Sequence, residues 1–198
     1  LSFSPMNTRD GGYGLGWALN LTEYDTDSRV LSLGTGETFT VSGSGDQPLM
    51  KEKKLDSFHF HDDGGGMYRV VHRSGLVEQL KKGTMSGDPL ALPEAVFGPD
   101  GRRVDVYYAA FAGRRRLETV SDASGELLRV TRNDTRNEVE LLFFPGKGEG
   151  GAALAAFVLR LDSDGRVTRV VLPTEEKACW KLEYKDLRGL YCLSEVWT

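Results

Sequence analysis

His59, His61 and His72 are the residues whose type and spacing most directly suggest chemistry. His59 and His61 stand two apart, so on a strand they share a face, and His72 falls on a neighbouring strand. Three imidazoles on one face hold zinc and leave its fourth position to water. The competing interpretation puts His59 and His61 on the solvent face of an amphipathic strand, with Phe58 and Phe60 turned to the core. The second interpretation is adopted, and no metal ligand is expected.

Paired carboxylates are the next candidates. Asp62 with Asp63, Asp162 with Asp164, and Glu175 with Glu176 all fall in turn-like sequence. Glycosidase chemistry needs two carboxylates held across a cleft, whereas an Asp in a turn bonds its own backbone. The run Asp162-Ser163-Asp164-Gly165 alternates oxygen ligands as a calcium loop does, but lacks the later bidentate Glu. Gly12-Tyr13-Gly14-Leu15-Gly16 has no strand before it and no helix after it, so it is no dinucleotide fingerprint. Residues 42–46 have the composition of a flexible loop and lack a nucleophile elbow. No catalytic residue and no cofactor are expected.

Aromatic rings leave one further option. Trp17, Tyr24, Trp180 and Tyr184 are candidates for stacking on sugar rings. The alternative is that such amphipathic rings fill a sheet interior with their polar tips bonded at its edge.

The elements that must position these residues are strands. Apolar and polar residues alternate through Phe58-His59-Phe60-His61, Val104-Asp105-Val106-Tyr107, Val139-Glu140-Leu141 and Trp180-Lys181-Leu182-Glu183-Tyr184. These runs are rich in β-branched and aromatic residues. Asp10-Gly11, Asp63-Gly64, Asp100-Gly101, Ser124-Gly125 and Asp164-Gly165 supply hairpin turns between such runs. The Ala-rich stretch 151–161 is the best helix candidate, but it runs into Phe157-Val158-Leu159-Arg160-Leu161, which alternates as a strand. The expectation is an all-β fold of about a dozen antiparallel strands, in hairpins forming extended curved or sandwich-like sheets. Glycines at positions 12, 14 and 16 would bare one face of a strand so that Trp17 can lie across it.

Two halves are expected, 1–87 and 97–198, joined by a linker or loop at 88–96, where Pro89 and Pro93 interrupt any ladder. The second half repeats, loosely, a unit of turn, strand, loop and strand, as at Asp100-Gly101-Arg102-Arg103-Val104 and Asp164-Gly165-Arg166-Val167. Such units bury their apolar faces by stacking on one another.

Composition narrows the partners. The 198 residues include 24 glycines and carry a net charge of −4. That balance gives no electrostatic case for nucleic acid, and Arg114-Arg115-Arg116 is expected to be a solvated strand end. Cys179 and Cys192 are too few for a disulfide framework and are expected as free buried thiols. The longest apolar run, 151–159, is too short to span a bilayer. The first residues lack the features of a signal peptide, and both ends of the chain resemble cuts through a longer polypeptide.

The order of several motifs resembles bacterial Rhs/YD-repeat proteins. These are Gly14-Leu15-Gly16-Trp17-Ala18-Leu19-Asn20-Leu21, then Tyr24-Asp25 and Leu31-Ser32-Leu33-Gly34-Thr35-Gly36-Glu37, then Tyr68-Arg69-Val70-Val71-His72-Arg73-Ser74-Gly75-Leu76-Val77-Glu78-Gln79-Leu80. More narrowly they are similar to the part ahead of the regular repeats in the insecticidal toxin-complex and SpvB-like branch. Tyr184-Lys185-Asp186-Leu187-Arg188-Gly189-Leu190 is similar to the repeat's Tyr-Asp-x-x-Gly-Arg-Leu core, with Lys185 inserted and Arg and Gly exchanged. The resemblance implies hairpin sheets that spiral into a hollow shell around a toxic segment. It implies a secreted or cell-surface location, and partners that are the rest of its own chain, other toxin-complex subunits or glycans. The self-cleaving aspartate site of the family has no counterpart here. The expected role is therefore structural and non-enzymatic, with a carbohydrate-binding β module as the alternative.

Overall fold

The computed structural model describes residues 1–43, 45–46, 48–51 and 56–198; position 44 of the expected loop at 42–46 lies outside them. The described residues form eighteen strands and one 3-10 turn at Glu149–Gly151. The first half holds β1 (Ser2–Phe3), β2 (Trp17–Ala18), β3 (Glu23–Asp25), β4 (Val30–Ser32), β5 (Thr38–Ser42), β6 (Leu49–Met50), β7 (Phe58–Gly64), β8 (Met67–His72) and β9 (Val77–Lys82). Next come β10 (Leu90–Phe97), β11 (Arg103–Phe111), β12 (Arg114–Asp122), β13 (Gly125–Asn133), β14 (Glu138–Phe143), β15 (Ala155–Leu161), β16 (Val167–Val171), β17 (Cys179–Leu187) and β18 (Leu190–Trp197). The Ala-rich stretch is strand from Ala155 onward, as its alternation predicts. The fold is all-β, and every strand pairing is antiparallel.

One strand joins the pieces. Along one edge β10 pairs with β9, from Ala91 opposite Lys82 to Phe97 opposite Val77. Its other edge is divided. Leu90 and Ala91 pair with Asp25 and Tyr24 of β3, whereas Ala95, Val96 and Phe97 pair with β11. From this junction three arms leave: β9-β8-β7, β3-β4-β5-β6, and the meander from β11 to β18.

The expected linker at 88–96 is thus corrected, because residues 90–97 are the strand on which the arms meet. The sequence signals that suggested a break are absorbed locally. Pro93 sits beside a bulge between Pro93 and Ala95, in the gap between the β3 and β11 pairings, where a missing N–H costs the ladder least. The Tyr108 hydroxyl donates to the Pro93 carbonyl at 2.8 Å. The Thr26 amide and hydroxyl both donate to the Pro89 carbonyl. Asp88 is buried and accepts from Arg115 Nε at 2.7 Å and from the Leu90 amide at 3.1 Å. Arg115 also donates to the carbonyls of Lys81 and Leu90. One guanidinium thereby ties the start of β12 to β9 and β10.

Two cores flank the junction. One gathers Tyr24, Leu31, Val41, Phe58, Phe60, Val70 and Leu80 from the first half, with Ala91 of β10. The other gathers Leu117, Val130, Val139, Leu141, Leu159, Leu161, Val167, Val170 and Leu182 from the second half, together with Tyr13. The chain's first twenty residues therefore pack on the second half, not on the half that contains them in sequence.

Two outcomes test this junction. Asp88→Ala leaves the buried Arg115 unpaired and is expected to lower unfolding free energy by about 3–5 kcal/mol in denaturant titration. Leu80→Ala, at a fully buried site opposite Pro93, is expected to cost about 2–5 kcal/mol by the same measurement.

Candidate functional site

The glycine-rich run does not form a strand. Gly12, Gly14 and Gly16 have φ of +103°, +102° and +83°, and only Trp17 and Ala18 enter a strand. The expected bare strand face is corrected to a loop of left-handed turns, which L side chains rarely adopt. Space is as restrictive as torsion. A Cβ on Gly12 would meet Arg116 Cδ at 2.2 Å, and one on Gly14 would meet Val167 Cγ2 at 2.7 Å. The missing side chains let the loop backbone lie against β12 and β16.

Asp10 organises this loop instead of opening a hairpin with Gly11. Its Oδ1 accepts the amides of Gly12 at 2.7 Å and Gly14 at 2.9 Å. Its Oδ2 takes Arg132 Nη1 at 2.6 Å, while Arg132 Nε reaches Asp134. The Leu15 amide donates to the Gly165 carbonyl at 2.7 Å. Trp17 Nε1–H then donates to the Tyr184 hydroxyl at 3.0 Å, and that hydroxyl donates to the Val167 carbonyl at 2.8 Å. Phe3 lies 5.5 Å from both rings. Trp17 and Tyr184 are therefore a docking contact, with their polar tips joined. Burial raises the Tyr184 hydroxyl pKa above its ordinary value, against the lowering effect of the Trp17 bond.

The four sugar-stacking candidates do not converge. Tyr24 is 5% exposed and packs on Phe60 and Tyr68, so no ring face is free, and that assignment is corrected. Trp180 stands 44% exposed on β17. The histidines also separate. Register sets Phe58 opposite His72 on one face of the sheet, while His59 and His61 take the other. His72 Nε2 lies 2.6 Å from Glu78, and His59 lies near Asp56. Among the described residues no group of three or more His, Cys, Asp or Glu is arranged for a metal ion. The turn carboxylates serve their turns. Asp162 Oδ1 accepts the amides of Asp164 and Arg166, and Arg166 binds Asp164 at 2.7 Å. Asp62 caps Gly64, and Asp63 pairs with Arg69. Cys179 and Cys192 are free thiols, half-buried where full burial was expected.

Two clefts flank the docked loop. The smaller, about 150 Å³, is lined by Phe3, Pro5, Tyr184, Tyr191 and Arg166. The Arg166 guanidinium lies 3.8 Å over the Tyr191 ring, a cation–π arrangement. The larger, about 260 Å³, lies between the loop, β10 and β12, and includes Arg9, Tyr13, Tyr108, Arg114 and Arg116. Of the arginine run only Arg114 is a solvated strand end, and the expectation is corrected for the other two. Arg115 is spent on Asp88, and Arg116 packs beneath Gly12. Local sequence could not show this, because the partners lie on other elements. Burial pushes the Tyr13 hydroxyl up to about 12 although Arg116 opposes the shift, and burial also raises Glu23, against Arg114.

No protein-family model and no curated protein matches the chain. Among solved structures it is similar to the N-terminal domain of effector protein SpvB from Salmonella typhimurium strain LT2. The identity is 13% and the TM-score 0.45, over 98% of this chain and 91% of that one. Among the described residues no helix is long and apolar enough to cross a membrane.

Gly14→Ala is expected to cost about 1–3 kcal/mol from torsion alone, read as a lower melting temperature, with added loss from the contact on Val167. Tyr13 provides a pH test. Its folded pKa exceeds the ordinary 10.0, so the unfolded chain loses this proton first. The stability it contributes is complete below pH 10.0 and falls as pH rises toward about 12. Tyr13→Phe is expected to flatten that alkaline decline in denaturation curves recorded across the window.

Proposed function

We propose that this chain is a structural, non-catalytic sheet segment of a larger Rhs/YD-repeat toxin protein, secreted or held at the bacterial surface, whose last strand is extended by a further hairpin. One observation carries the structural part. Large apolar side chains left exposed collect on the β17–β18 hairpin, where Trp180, Leu187, Tyr191, Val196 and Trp197 are each 40–58% exposed. β18 pairs with β17 on one side and with no strand on the other among the described residues. An open edge beside apolar side chains is a template for another strand. The order of motifs from Gly14 to Leu80 supports the family assignment within this proposal. In such an assembly each new hairpin covers the edge left by the one before it, so the wall grows without enclosing a reactive site of its own.

A second reading, glycan binding, is favoured by one feature. The Trp180 ring is exposed on the same hairpin and offers a flat stacking surface.

The purified chain is expected to associate with rising concentration in sedimentation velocity. A Val196→Lys/Trp197→Lys variant is expected to shift that equilibrium toward monomer while its far-ultraviolet circular dichroism stays unchanged. A native chain that remains monomeric throughout overturns the edge-extension proposal. Binding on a glycan array that Trp180→Ala abolishes would instead support the second reading.

A further inference from the structure

The larger cleft holds an imbalance that the docking of the loop does not explain. Four guanidinium groups, Arg9, Arg114, Arg115 and Arg116, meet two carboxylates, Asp10 and Glu23. Two of these six groups are assigned. Asp10 is used by Arg132 and two backbone amides, and Arg115 by Asp88. Among the described residues Arg9 and Arg114 make no ion pair within 4.0 Å.

Arg116 differs from both. Its Nε and Nη1 are buried and have no hydrogen-bond partner. Its stem is held under Gly12, and its guanidinium carbon is 5.9 Å from the Phe111 ring, which Arg132 approaches at 4.7 Å from its own side. The side chain is thus fixed by packing, with two buried donors left over. Buried donors are seldom left unpaired, because each costs about 1–3 kcal/mol. Glu23 does not relieve them: it makes no ion pair with Arg116 within 4.0 Å among the described residues, and its arginine neighbour is Arg114.

We propose that this cleft binds a small tetrahedral oxyanion, a phosphate or sulfate group, with Arg116 supplying an unpaired N–H donor and Arg114 closing from the exposed side. A guanidinium donor bonds an oxyanion with charge assistance, and one already held by packing loses little freedom on binding. A volume of about 260 Å³ admits the anion with a small organic remainder, and Leu19 and Leu92 give that remainder an apolar wall. The smaller cleft is the weaker candidate because Arg166 already holds Asp164 and Asp162.

The test follows arginine Nε–Hε resonances of the purified chain by NMR while inorganic phosphate, sulfate or chloride is added at matched ionic strength. Phosphate or sulfate is expected to shift one internal arginine resonance saturably, and that resonance is expected to vanish in Arg116→Lys. Arg114→Gln, at the exposed side of the cleft, is expected to keep the fold and weaken binding about tenfold, as loss of one charged hydrogen bond implies. Three results would overturn the site: no saturable shift, an equal response to chloride, or unchanged affinity in Arg114→Gln. The first of these would assign the Arg116 donors to water alone. If Arg116→Lys fails to fold, Arg114→Gln still decides.

Discussion

The architecture depends on the divided edge of β10. A strand has two hydrogen-bonding edges, and here one of them serves two partners end to end, β3 and β11. Such a division leaves a gap of unpaired backbone in the middle of a sheet, which is costly when buried. The gap coincides with Pro93, which has no N–H to lose, and its carbonyl is satisfied by Tyr108. The Asp88–Arg115 pair closes the adjoining corner, at 3% and 15% side-chain exposure. Such a pair contributes geometric specificity more than net stability, since its desolvation offsets most of its attraction.

With the junction in place, the two cores can form on separate arms, and the N-terminal loop becomes the piece that crosses between them. Its route over β12 and β16 is dictated by close approach. Asp10 gathers two loop amides and one arginine, and the Trp17–Tyr184–Val167 relay anchors the far end. The same approach makes the clefts. Laying a glycine loop over Arg116 buries that guanidinium without giving it an acceptor, so packing creates the unpaired donors on which the anion proposal rests.

The edge at β18 and the arginine cleft are different kinds of surface. The first is an open backbone edge beside exposed apolar side chains, where strand pairing is governed by main-chain hydrogen bonds and side-chain burial. The second is a small polar recess whose specificity comes from a preorganised guanidinium. They lie on different elements, so a structural role for the hairpin and ligand binding beside the loop do not compete.

What the sequence determined by itself was local: strand alternation and hairpin chemistry. Phe58 and Phe60 face the core and His59 faces solvent because side-chain direction in a strand has period two, whatever surrounds it. Asp100-Gly101 and Asp164-Gly165 turn because the backbone there needs positive φ, whereas Asp63-Gly64 ends β7 and the turn falls on Gly65-Gly66. The tertiary structure decided everything that depends on a partner distant in sequence. Pro93 belongs to a strand because Tyr108 and the β3–β11 gap accept it. Tyr24 is core, not surface, because Phe60 and Tyr68 arrive from another arm. His72 leaves the face of His59 because of the β7–β8 register, and Arg115 and Arg116 acquire opposite fates from Asp88 and Gly12. Propensity and periodicity are short-range properties of the chain, whereas burial, register and charge pairing are set by which surfaces meet.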